Sequence, residues 1–126
     1  MSNTTQLRVL DAALHMVEEV HRESLLMPVE RVPGLRAQLL RAVDAVPANI
    51  AEGARGSRSQ FANFLRIARG SADEVAIHLQ VARRAGAMSE TAYWRCENSR
   101  VVVCKMLSRL IRTLDEHAAH AVNDAY

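Results

Sequence analysis

The chain has 126 residues, 49% of them hydrophobic, with five glycines, three prolines and a formal net charge of +2. That length suits one domain able to bury a core without staples, and the composition excludes a disordered, collagen-like or disulfide-dense chain. No apolar run approaches the roughly 20 residues that span a bilayer, and the opening MSNTTQLRVLDAA lacks the basic-then-apolar layout of a signal peptide, so a cytoplasmic protein with no membrane association is expected.

The first predicted helix, about 5–26, repeats Leu7, Leu10, Leu14 and Val17 before Pro28 and Pro33 end it. A second, about 34–53, carries Leu35, Leu39, Val43 and Val46. Pro47 lies inside its pattern, where it removes a backbone donor and clashes with the preceding turn. A kink is expected there, with the Val43 carbonyl deprived of its helical partner. Asn49 and Glu52 share a face just past that point, where an amide and a carboxylate can satisfy backbone groups or bridge to a neighbouring helix. Gly53 and Gly56 then bracket Ala54 and Arg55, and Ser57 with Gln60 reads as a capping box that opens a new helix.

In that third helix, about 57–85, Phe61, Leu65, Ala68, Ala72, Val75, Leu79 and Ala82 step by four and three, the pattern of a bundle seam. Gly70 and Ser71 fall mid-helix. Small residues there are expected to permit close packing, with Ser71 and Glu74 as polar partners of Asn49 and Glu52 across a helix contact. Gly86 ends the helix. The fourth, about 89–117, opens at Ser89 and Glu90 and carries Tyr93, Cys96, Val103, Leu107, Leu110 and Leu114, a row that Arg100 interrupts. Residues 118–126 are expected to form a flexible tail. Short connections between such helices favour antiparallel neighbours, hence an all-α, up-and-down four-helix bundle in one domain over 1–126.

Two features bear on assembly and redox state. Val101, Val102 and Val103 cannot all face one seam on a helix that turns roughly 100° per residue. With Met106 and Ile111 they mark a second apolar stripe, expected to be a subunit interface. Cys96 and Cys104 lie about 12 Å apart along the helix axis, too far for a mutual disulfide, and read as two buried thiols.

Charge is unevenly spread. Residues 1–30 are net acidic, whereas 31–70 hold Arg31, Arg36, Arg41, Arg55, Arg58, Arg66 and Arg69 against Asp44 and Glu52. A basic middle is an electrostatic footprint for an anionic partner, and Lys105 is the one lysine beside the arginines, whose planar forks suit phosphate. Arg55 and Arg58 flank the free amides that open the third helix, where a phosphate could dock. Lys105, Arg109 and Arg112 form a stripe along the fourth. Each site has a plainer reading as solvated arginines, in the second case paired with Asp115 and Glu116. Tyr93, Trp94 and Tyr126 are the aromatics outside the Phe pair, and none lies among the basic residues. No stacking platform is expected, and binding should be led by phosphate, weak in sequence selectivity and sensitive to salt.

Pro47-Ala48-Asn49-Ile50-Ala51-Glu52-Gly53, the turn Arg55-Gly56-Ser57, Phe61 with Phe64-Leu65, and Gly70-Ser71 with Glu74 together form a signature. Over roughly residues 7 to 115 the chain resembles the four-helix-bundle family of 23S rRNA intervening-sequence proteins and diversity-generating retroelement accessory proteins. It departs from the family pattern in the order of glycine and arginine in the turn and in Gln60, where a glutamate is common. The resemblance implies a ring-shaped homo-oligomer, commonly a pentamer, and in the retroelement setting a partnership with a reverse transcriptase and its RNA.

Catalytic templates are weak. Glu18-x-x-His21 is half of a di-iron pattern whose second half is missing, since Glu74 and His78 stand four apart. There is no Gly-x-Ser-x-Gly elbow, no phosphate-binding Gly-Lys-Ser/Thr and no zinc-site spacing. The expectation is a non-enzymatic protein without metal or cofactor that binds RNA or DNA through Arg55, Arg58, Arg66, Arg69, Lys105, Arg109 and Arg112. A structural oligomer or protein-binding adaptor without nucleic-acid contact is the alternative.

Overall fold

The computed structural model describes residues 3–125, with side chains over 4–120; Tyr126 lies outside the described residues. Among the described residues there are four helices and no strand: α1 Asn3–Ser24, α2 Leu35–Ala54, α3 Arg58–Arg84 and α4 Glu90–Ala125. Each packs on its neighbour in the chain and α1 closes against α4, so the helices form a square. Cross-helix pairs show that neighbours run antiparallel. His21 near the end of α1 meets Asp44 midway along α2, while Leu7 and Leu10 lie beside Ile50 and Ala54 at its end. Arg83 meets Glu90 near the α3–α4 corner, and Arg66 meets Asp115 towards the other end of the same pair.

Local chemistry fixes the helix ends. Gly34 opens α2 at φ +80°, and Gly86 closes α3 at φ +70°, a region that L side chains rarely enter. Around Gly86 the Ala87 amide donates to the Ala82 carbonyl and the Gly86 amide to Arg83, the paired bonds that satisfy a helix C-terminus. At the start of α3, Ser57 Oγ accepts from the Gln60 amide while Gln60 Oε1 accepts from the Ser57 amide, so the expected capping box is formed. Ser89 Oγ accepts from the Ala92 amide and caps α4.

The α3 seam is buried as its spacing predicts, from Phe61 through Ala82. Val43, Val46 and Ile50 of α2 and Cys96, Val103 and Leu107 of α4 share its core. α2 continues through Pro47 as one helix, and Asn49 Nδ2 donates to the Ala45 carbonyl at 2.8 Å. At Gly53 the α2–α3 contact is so close that an added Cβ would stand 2.5 Å from the Phe64 Cβ. A side chain cannot be admitted there without moving a helix.

Five expectations are corrected. The seam of α1 consists of Val9, Ala13, Met16 and Val20, while Leu7 is 64% and Leu14 45% exposed. Two apolar rows share this helix, and the one with the smaller alanine lets α1 approach the bundle axis. On α4, Val103 and Ile111 are buried and only Val102 of the valine run is strongly exposed, so the broad outward apolar stripe is not there. The proposed polar network does not form: Glu52 pairs with Arg55 on its own helix, Glu74 lies 4.0 Å from His78, and neither crosses between helices. Gly70 faces open space rather than a close contact. Finally, α4 runs to Ala125, beyond the end expected near residue 117, because no proline or glycine interrupts residues 90–125.

Candidate nucleic-acid interface

Antiparallel packing of α3 on α4 brings the start of α3 beside the last turns of α4. Arg58 and Arg66 consequently line one groove together with Asp115 and His117. Arg66 donates to both Asp115 carboxylate oxygens at 2.7 and 2.6 Å, so its charge is largely satisfied within the protein. Arg69 Nη1 reaches Ser108 Oγ at 3.4 Å, and Ser108 in turn lines a groove with Lys105, Arg109 and Arg112. The two basic sites that look separate in sequence thus lie along one α3–α4 side.

Their charges are not equally available. Arg55 is held by Glu52 at 3.1 Å on the exposed turn, and Arg66 by Asp115. Arg58, Lys105, Arg109 and Arg112 are exposed and make no ion pair among the described residues. Of the remaining residues singled out in sequence, Pro47 and Gly53 are buried in the α2 contact and Asn49 and Ser71 are half-buried. Their place is in the scaffold, away from the basic side.

Arg100, which lines the same groove, does not join the cationic set. Its Nε donates to Glu97 at 2.8 Å, its Nη2 contacts the other Glu97 oxygen, and its Nη1 reaches Cys104 Sγ at 3.3 Å. The hydrogen bonds to Glu97 raise the Arg100 pKa above its ordinary value, so the guanidinium stays charged and paired. Burial pushes both thiols up, Cys96 to about 12, with Glu23, Glu19 and Glu97 adding to the effect. Neutral thiols are poor nucleophiles and poor metal ligands. Among the described residues no group of three His, Cys, Asp or Glu side chains could hold a metal ion, and His21 is instead bonded to Asp44 at 2.7 Å. Among the same residues no helix is long and apolar enough to cross a membrane.

One cluster escapes the sequence reading. Arg83 lies over the Tyr93 ring at 4.5 Å and over the Trp94 ring at 5.3 Å, and the two rings meet edge-on with centroids 5.0 Å apart. Gln80 Nε2 donates to the Tyr93 hydroxyl at 2.7 Å, and Arg83 binds both Glu90 oxygens at 2.8 Å. Those Arg83 bonds, with a smaller contribution from the Trp94 indole, hold the Glu90 carboxyl below its usual range. An aromatic pair therefore does sit beside a basic side chain. Arg83–Glu90 and Gln80–Tyr93 both centre between Gly86 and Ala87, as facing residues of an antiparallel helix pair must, and that symmetry is the signal that could have found the cluster.

The family model described as 23S rRNA-intervening sequence protein matches residues 5–109, most of the chain. The chain belongs to that family. It is also similar to a crystal structure, at 1.70 Å, of a protein of unknown function from the S23 ribosomal protein family of Bacteroides thetaiotaomicron VPI-5482. The two are 26% identical with a TM-score of 0.77, over 86% of this chain and 98% of the other. No curated protein matches the chain.

Proposed function

We propose that this member of the 23S rRNA-intervening sequence protein family is a non-enzymatic, oligomeric RNA-binding protein that grips structured RNA by its phosphates along the α3–α4 side. The observation that carries the reading is the row Lys105, Arg109 and Arg112, exposed on one helix and without ion pairs among the described residues, with Arg58 at the end of the same side. Cations held in line without acidic partners suit a polyanion better than a single small ligand. The family's name favours an RNA partner over DNA, and the ribosomal setting over the retroelement one.

Assembly belongs to the same reading. Leu7 and Leu14 of α1 and Ile67, Ile77 and Val81 of α3 face outward, and these two helices do not touch within the protomer. Two unlike apolar stripes on non-adjacent helices favour a head-to-tail contact, which closes into a ring when the rotation permits. A ring-shaped homo-oligomer, a pentamer by the family resemblance, would repeat the cationic row around its symmetry axis.

The test is a titration of structured RNA at rising ionic strength, with solution mass measured in parallel. Three or four phosphate contacts per protomer predict an affinity loss of roughly 10- to 100-fold between about 50 and about 200 mM salt. Binding that is insensitive to salt, or absent at low salt, overturns the reading. A monomer at micromolar concentration overturns the ring.

A further inference from the structure

Trp94 is 47% exposed, although its ring is held from several sides. Tyr93 braces one edge, Arg83 lies against the ring, and Arg83 is itself fixed by its paired bonds to Glu90. An indole so constrained loses little further freedom when a planar partner arrives, and its remaining exposed surface costs free energy until something covers it. The Arg83–Glu90 pair is neutral overall, so it does not repel an incoming phosphodiester strand.

The position on α4 identifies that partner. Trp94 and Arg112 stand eighteen residues apart, five full turns of helix, so the two project from the same line. Lys105 lies within about 20° of that line, roughly 16 Å from Trp94 along the axis. One straight face of α4 therefore presents an aromatic ring at its start and unpaired cations further along. That is the combination by which proteins hold single-stranded segments, with bases stacked on rings and phosphates tracked by basic groups. An apolar protein partner would require neighbouring apolar residues on this line, and the positions between are Asn98, half-buried Val101 and Lys105.

We infer that Trp94 is a stacking site for an unpaired nucleobase, engaged when the phosphates of the same RNA lie on Lys105 and Arg112. This rests on the RNA-binding reading and adds to it a preference for RNA with unpaired nucleotides next to a helix.

Trp94 is the only tryptophan, so its own emission reports the site. The full chain is titrated at low salt with a hairpin RNA that has an unpaired loop, and separately with the blunt duplex of the same stem. The hairpin should quench Trp94 emission and the duplex should not. Trp94→Ala should weaken hairpin binding about 10-fold, the effect of one lost base stack, and leave duplex binding and solution mass unchanged. Trp94→Phe, which keeps a ring, should restore most of the loss. Hairpin binding with unaltered emission, or with equal affinity in Trp94→Ala, overturns the stacking site while leaving phosphate binding intact. A fall in solution mass in Trp94→Ala overturns it in favour of a subunit contact. Failure of both RNAs to bind the unmodified protein overturns the RNA-binding reading, and the stacking site with it.

Discussion

α1 and α4 each turn a stripe to solvent, and the two stripes differ in what they demand. On α1 it is Leu7 and Leu14, with Leu10 and Val17 partly covered; on α4 it is Lys105, Arg109 and Arg112. Exposed leucines leave unfavourable apolar area in water, about 25 cal/mol per Å², until another surface covers them. Exposed cations are content in water and attract a partner only as strongly as ionic strength permits. On the proposed reading, similar helical spacing suits one face to lasting cover by a like protein surface and the other to reversible, salt-tuned contact.

The sharpest way to break this contrast is to reverse the cationic stripe. Lys105→Glu, Arg109→Glu and Arg112→Glu together should lower affinity for structured RNA by about 100-fold or more at low salt, with helicity and solution mass retained. Introducing charge on the other stripe should do the opposite. Leu7→Glu with Leu14→Glu should reduce the assembly to protomers, as read by light scattering, while the helical signal of the protomer persists because both side chains already face water.

A substitution that touches neither stripe separates loss of fold from loss of surface. Gly53→Ala should cost about 1–3 kcal/mol of stability, since the new Cβ must displace the Phe64 Cβ or part α2 from α3. Denaturant titration reads that loss directly. The smallest effect at neutral pH, where it vanishes, comes from a thiol and appears only in alkali. The buried Cys96 thiol holds its proton to about 12 against an ordinary 9.0, so above pH 9 the unfolded chain releases a proton that the folded chain keeps. Stability should therefore fall as pH rises from 9 toward 12, by at most about 1.4 kcal/mol per pH unit from this group. Cys96→Ala should lack that part of the slope when melts are compared across the range.

Much of the fold is legible because α3 carries one unbroken apolar row with clear ends, against the sparser Ile67, Ile77 and Val81 outside. Ser57 and Gln60 announce its start, Gly86 its finish, and only one face is continuously apolar between them. α1 misleads for a physical reason: Leu7-Leu10-Leu14-Val17 and Val9-Ala13-Met16-Val20 are both apolar rows at helical spacing. Periodicity finds rows but does not say which one packs inward. The valine run on α4 misleads similarly, because Val103 and Ile111 are drawn into the core while Val102 alone turns out. The cationic row on α4 is visible as spacing within one helix. Its alignment with Arg58, and the gathering of Arg83, Glu90, Tyr93 and Trp94, depend on how α3 folds back on α4, which no single-helix pattern contains.

The way α1 is fastened has a consequence for how the chain is made. Arg95 bonds Glu23 at 3.1 Å across 72 positions, whereas Arg83 and Glu90 are joined across only seven. Closing a short hairpin costs little entropy and closing the whole chain costs the most, so the α1–α2 and α3–α4 pairs can form early and the α1–α4 contact is the natural latecomer. The helix that bears the uncovered leucines thus gains its second neighbour last. Until that contact closes, α1 is packed on one side only, and slow closure on α4 should be felt first as clumping during expression.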